Sequence, residues 1–346
     1  RLENYPRAKS LLDLAEGTIR SVDGATKVRA DIELSRGALA MKQDDAAGAL
    51  AHLHSAFNKY RQSGDGRGQS VALQNIAALY TIANDNIQAE KYYREAGEVY
   101  DGDVILSIYL GNNLGNVLLQ LERYKDAEQQ YSKALKGAEK IGSKTLQARV
   151  YGNLARSRLE SGDLVGSGRF LQKGFQDAVI DDDSIVLSTL MATKARLLFQ
   201  RGNYFSAKKV VDRLFRPDRE TDSANYYAHY VAYQVYEAVG DNAKALKHLE
   251  AAKRLNDEAT KVATSTNAAL AAARFDFRNQ ELKIAKLKAQ ELQRNVAFER
   301  SQSRFERILF FSIGGATLIL LAILSFSLFT IRRSRNGERT ANARLG

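Results

Sequence analysis

A short pattern recurs in fixed order along roughly the first 250 residues: a small residue, a large one four positions on, and a small or apolar one three positions after that. Ala89, Tyr93 and Ala96 are followed by Ala127, Tyr131 and Ala134, and later by Ala207, Val211 and Leu214, with Ser167 and Leu171 in the same frame between them. Offsets of four and three lie on one helical face. The units stand 38 to 40 residues apart. A chain of 346 residues exceeds what one core supports, whereas stacked helical hairpins grow without that limit. The pattern therefore predicts an all-α array.

The clearest unit reads Asn113-Leu114-Gly115, then Tyr124, Ala127, Tyr131 and Ala134. It resembles the tetratricopeptide repeat, in which each unit is a helix A and a helix B packed as a hairpin. Gly115 and Ala127 are expected where the two helices cross, because a larger side chain would force the backbones apart. Asn75, Ile76, Ala77, Tyr80 with Ala89, Tyr93, Ala96 repeat the frame, as do Asn153, Leu154, Ala155, Ser167 and Leu171. Ala195, Leu198, Ala207, Val211, Leu214 and Tyr233, Tyr236, Ala245, Leu249, Ala252 extend it. Asp45, Ala49, Leu53 and Ala56 mark a further unit whose helix A fits poorly, and Tyr5, Ala8, Leu12 and Ala15 match a helix B alone. Gly162-Asp163 and Gly240-Asp241 are turn signals, Gly for a positive φ and Asp for capping the next helix. About six repeats plus a leading half repeat are expected over 1–257. Starting inside a repeat, with Arg first and no apolar leader, the chain reads as a fragment.

From 258 onward the hairpin frame stops, and no Pro or Gly follows until Gly314. The segment 258–307 predicts one long helix. Leu270, Phe277 and Ile284 are seven apart, with Ala273 and Leu287 in the partner seam and Leu292 and Val296 after a shift, as in a coiled coil. A single helix laying the same stripe on the last repeat satisfies the pattern as well. Ile308 to Ile331 carries no charge; at 1.5 Å per residue its reach of about 36 Å crosses a hydrocarbon core of about 30 Å. The basic tail 332–346 holds five Arg against one Glu and supplies +4 of the net +11. The remaining charge is spread thinly, so nucleic acid is not an expected partner.

The segment Ala273–Gln293, the apolar span and the tail together resemble the junction of bacterial membrane sensors with an outer tetratricopeptide array. In that family the output is a histidine kinase or a diguanylate cyclase. The resemblance implies a single-pass inner-membrane protein with a periplasmic array, a cytoplasmic tail, a homodimer through the connecting helix, and an output domain missing after Gly346. The tight cluster Arg332, Arg333, Arg335 tilts the same way, although five basic residues flank each side of the span.

No chemistry is legible. The chain has no Cys, so thiolate metal sites and a cysteine nucleophile are excluded. His52 and His54 point to different helix faces, and Asp181, Asp182 and Asp183 lack the spacing of a calcium loop. We therefore expect no catalytic residue, cofactor or metal, and a protein or peptide ligand on the helix A face. The residues placed there are Asn112, Asn113, Asn116, Arg149, Asn153, Arg156 and Arg196. The recurring Asn75, Asn113 and Asn153 fit hydrogen bonding to a neighbouring repeat better than ligand binding; the three Arg fit either role. The expected function is a sensing and transmitting module that binds a peptide or protein and passes the change through the connecting helix. The alternative is a tail-anchored adaptor that recruits partners to a membrane.

Overall fold

The structure, a computed structural model, describes residues 4–178, 184–216 and 226–342, and within these every regular element is a helix. In chain order α1 spans Tyr5–Ile19, α2 Thr26–Lys42, α3 Ala46–Ser63, α4 Gly66–Ile82, α5 Asn86–Val99, α6 Val104–Gln120 and α7 Tyr124–Lys140. Then come α8 Lys144–Glu160, α9 Leu164–Ala178, α10 Ser184–Gln200, α11 Tyr204–Leu214, α12 Tyr226–Ala238 and α13 Asn242–Asn342. Contacts group the chain into two units, Arg1–Arg274 and Phe275–Gly346, so α13 belongs to both. Asp181, Asp182, Asp183 and Pro217 lie outside the described residues.

Within the first unit, α2 packs on α3, α4 on α5, α6 on α7, α8 on α9 and α10 on α11. The turns inside these hairpins, and the one between α12 and α13, share one geometry. Asp44, Asn84, Glu122, Gly162, Gly202 and Gly240 all have positive φ. The residue after each donates its N–H to the carbonyl five positions back: Asp45 to Ala40, Asp85 to Tyr80, Arg123 to Leu118, Asp163 to Arg158, Asn203 to Leu198 and Asp241 to Tyr236. This left-handed closure satisfies carbonyls that the end of helix A leaves without a partner. Asp45, Asp85, Asp163 and Asp241 then cap helix B by accepting from the N–H three residues on. Sequence alone marks this position at Gly162 and Gly240; Asp44, Asn84 and Glu122 fill it without glycine.

Packing follows the small-large-small frame. Ala127, Tyr131 and Ala134 are buried, as are Ala89, Tyr93, Ala96 and Ala207, Val211, Leu214. A methyl group at Gly115 would collide with the Tyr131 ring, so the glycine sets how closely α6 and α7 approach. In the last hairpin the frame slips by one residue: Leu249 is 39% exposed, and His248 is buried instead between Ala245 and Ala252. The imidazole is seated there against Phe215 and Tyr236. On α1, the half-buried residues include Tyr5, Ala8, Leu12 and Ala15, the face expected of an unaccompanied helix B.

In the second unit the helix is exposed along its described length. Leu287, Leu292, Phe298 and Phe305 stand in the open, and so do Phe310, Phe311, Leu320, Phe326 and Ile331. The segment Lys286–Arg333 is long and apolar enough to cross a membrane, by length and composition. The expected span lies inside it. The side chains of Phe277 and Ile284 are outside the described residues.

Candidate ligand-binding site on the A helices

Successive A helices carry equivalent residues 38 or 40 positions apart, so any polar residue repeated at that interval forms a ladder across the array. Asn116, Arg156, Arg196 and Gln234 are one such ladder, on α6, α8, α10 and α12. Its rungs are partly joined. Arg196 Nη1 donates to Gln234 Oε1 on the next A helix. Asn116 instead accepts from the Tyr131 hydroxyl within its own hairpin, at 2.8 Å.

Arg156 is different. Its guanidinium lies 4.5 Å from the centroid of the Tyr227 ring, two hairpins further along. Nε of Arg156 is buried with no hydrogen-bond partner among the described residues. Burial pushes the Tyr227 hydroxyl up to about 12, with Arg156 and Arg196 drawing it back and Glu160 reinforcing the rise. Thr193 stands near that hydroxyl, but not in hydrogen-bonding geometry. Around this pair lies a hollow of about 300 Å³ lined by Tyr124, Arg156, Glu160, Arg196, Tyr226 and Tyr230 among others. Two guanidinium groups, held flat by stacking and by an amide, face a pocket walled with phenol rings. Arg forks of this kind pair with carboxylates and peptide carbonyls, and the rings add stacking area.

The other expected residues are drawn into the scaffold. Asn153 Nδ2 donates to Asn112 Oδ1 at 2.7 Å, tying α8 to α6. Asn113 accepts a long bond from Asn112 at 3.4 Å, and with Thr81 it stands close enough to the Tyr93 hydroxyl to offset the upward push of burial there. Asn75 donates to Val71 of its own helix. Arg149 sits two turns before Arg156 on α8, half-buried and outside the lining of the hollow. Of the seven, Arg156 and Arg196 share the hollow. The tyrosines that complete it were not anticipated. Their signal is present in the sequence as the cluster Tyr226, Tyr227 and Tyr230 at the start of one helix.

His229 and His248 bring their Nδ1 atoms to 2.9 Å. Burial lowers both, with His248 reaching about 4, so the pair is neutral near pH 7. Among the described residues no group of three or more His, Asp or Glu side chains is arranged to hold a metal ion.

Residues 105–166, from α6 to the start of α9, match the tetratricopeptide repeat family. The array has the tetratricopeptide-repeat fold. Aspartyl phosphate phosphatase F from Bacillus subtilis superposes with a TM-score of 0.58 at 14% identity, over 76% of this chain and 74% of that one. A tetratricopeptide repeat protein from Parabacteroides merdae gives 0.54 at 17% identity, over 75% and 93%. The Rap conjugation gene regulator of plasmid pLS20, solved in complex with a Phr peptide, gives 0.51 at 14% identity, over 75% and 77%. At these identities the likeness concerns the fold. No curated protein matches the chain in sequence.

Proposed function

We propose that this chain is a membrane-anchored, non-catalytic interaction module whose repeat array binds a peptide or protein through a carboxylate or main-chain carbonyl group. The observation that carries this reading is the hollow in which the guanidinium groups of Arg156 and Arg196 stand beside a wall of tyrosines. That a similar array, the Rap regulator, is held with a peptide supports a peptide as the ligand class. The exposed apolar side chains from Ile308 to Ile331 support a single membrane crossing, since water would solvate them poorly.

The finer reading is a bacterial sensor. The array lies outside the inner membrane, the connecting helix pairs with that of a second copy through residues 265–300, and the change passes to a histidine kinase or diguanylate cyclase domain after the span. The sequence of the junction and the tail cluster of Arg support it.

The test uses the whole chain in lipid nanodiscs, panned against a displayed random peptide library, beside the Arg156→Glu, Arg196→Glu double variant. Acidic or carboxylate-terminated peptides should enrich on the native chain and fall at least tenfold on the variant. Equal enrichment on both, or none on either, rejects the hollow as the binding site.

A further inference from the structure

The first stretch of α13 completes the last hairpin: Ala245, His248 and Ala252 are buried against it. That contact ends the array as a terminal helix must. The helix then runs exposed on all sides from Asn256 to Val262. After this gap a second buried face begins. Thr266 is 8% exposed and Leu270 has no exposed surface, with Ala263, Ala269 and Ala273 half-buried around them. The spacing keeps these residues on one side of the helix.

This face lies against the second full hairpin, more than 180 residues earlier, not against the last one. Asn267 Nδ2 donates to the Ala83 carbonyl at 2.7 Å, satisfying an oxygen at the C-terminal end of α4. Arg274 Nε donates to the Tyr80 hydroxyl at 2.8 Å, and its Nη2 pairs with the Asp85 carboxylate at 3.2 Å. The same guanidinium sits 4.5 Å from the Tyr80 ring centroid, and that ring is stacked on Tyr92 at 5.3 Å. The receiving corner thus presents an aromatic shelf, a helix-end carbonyl and a carboxylate. Those are complementary to a helix displaying Asn, Leu and Arg at successive turns of one face.

We infer that the α4–α5 corner is a helix-binding surface, occupied here by the chain's own α13 through Asn267, Leu270 and Arg274, and that this docked segment is a releasable latch. End-capping does not require it, since the last hairpin is already covered by Asn242–Ala252. Of its polar contacts the ion pair to Asp85 is exposed and the bonds to Ala83 and Tyr80 are half-buried; single contacts of this kind contribute little each, so the segment opens without unfolding the hairpins beneath it. A partner helix with the same face competes for the corner. The latch goes beyond the proposed function of the array, and it stands or falls independently of the arginine hollow; while docked it withholds residues 265–274 from pairing with a second copy.

Hydrogen exchange on the whole chain in lipid nanodiscs tests it, with no ligand of the hollow present. In the native chain, amides of 263–274 should exchange at least tenfold more slowly than those of 256–262. Asn267→Ala with Arg274→Ala should remove that difference while leaving α6 to α9 unchanged; Arg254→Ala, outside the contact, should leave it intact. Protection should not change on dilution. Loss on dilution shows that a second copy supplies the helix and overturns the self-docked latch. An unprotected 263–274 segment in the native chain, or protection that survives the double variant, overturns it too. A synthetic peptide covering 260–277, in excess, should speed exchange of 263–274 severalfold, and the same peptide with Arg274→Ala should not. Equal effects of both peptides reject the corner as a receptor for a partner helix.

Discussion

Asn153 on α8 donates through Nδ2 to Oδ1 of Asn112 on α6, at 2.7 Å, and so joins one A helix to the next through two side chains 41 residues apart. Both residues sit where the sequence places a ligand groove, yet they spend their amides on each other. Asn112→Ala leaves a half-buried donor without its acceptor, which should lower stability by about 1–3 kcal/mol. The double change Asn112→Ala, Asn153→Leu should be less destabilising than the sum of the two single changes, because it removes both partners together. Urea unfolding of the four proteins measures the coupling; strict additivity would show that the bridge contributes nothing.

The methyl group of Gly115→Ala lands on the ring of the fully buried Tyr131 across the hairpin. Overpacking of this kind costs about 1–3 kcal/mol. Tyr131→Phe keeps the ring and loses only the bond to Asn116, with an expected loss of about 1 kcal/mol. Thermal melts should rank Gly115→Ala below Tyr131→Phe, and the opposite order would mean that the hairpin yields at this crossing.

Gly162 and Glu122 occupy the same turn position in adjacent repeats, with φ of 87° and 58°. A methyl group at Gly162 meets no atom within 4 Å, so Gly162→Ala isolates the backbone cost. That change should destabilise by about 1 kcal/mol, and Glu122→Gly should relieve a strain of similar size. Opposite shifts in melting temperature are expected. Matching shifts would show that the turn is not held in the left-handed region.

His248, its Nδ1 2.9 Å from that of His229, is lowered to about 4 by burial and then by its neighbour. A histidine depressed in the folded state binds fewer protons there than in the unfolded chain. Its contribution is therefore complete above the unfolded value near 6.5 and is lost as pH falls towards 4. Allowing for solvent screening, the loss should be of the order of 1–2 kcal/mol. His248→Phe, which keeps an aromatic ring against Phe215 and Tyr236, should flatten the stability profile between pH 7 and 4. An unchanged slope would place the acid sensitivity on the carboxylates instead.

The array was legible because its signal is local and repeated. Close helix crossings demand small residues such as Gly115 and Ala127, and a left-handed turn favours Gly at 162 and 240, so each hairpin prints the same marks. The burial of Tyr80, Tyr93, Tyr131 and Val211 follows from that frame. Where the demand was weaker the marks faded: Asp44, Asn84 and Glu122 take the turn conformation at a modest energetic cost, and in the last hairpin His248 displaces Leu249 from the buried face. The candidate site was half visible. Its arginines repeat at the period of the array, but which of them meets an aromatic wall depends on how far Tyr227 is carried back towards α8.

Side-chain size, charge and periodicity along neighbouring residues specify the hairpin unit, its length, the register of the buried faces ahead of the last hairpin and the apolar length of 308–331. The bond between Asn112 and Asn153, the seat of Arg156 on Tyr227 and the reach of Arg274 to Tyr80 and Asp85 across nearly two hundred residues came from the folded arrangement alone. Periodicity specifies which side of a helix must be covered. What covers it is set by the accumulated rotation of successive hairpins, a sum of small packing angles that no local stretch of sequence contains.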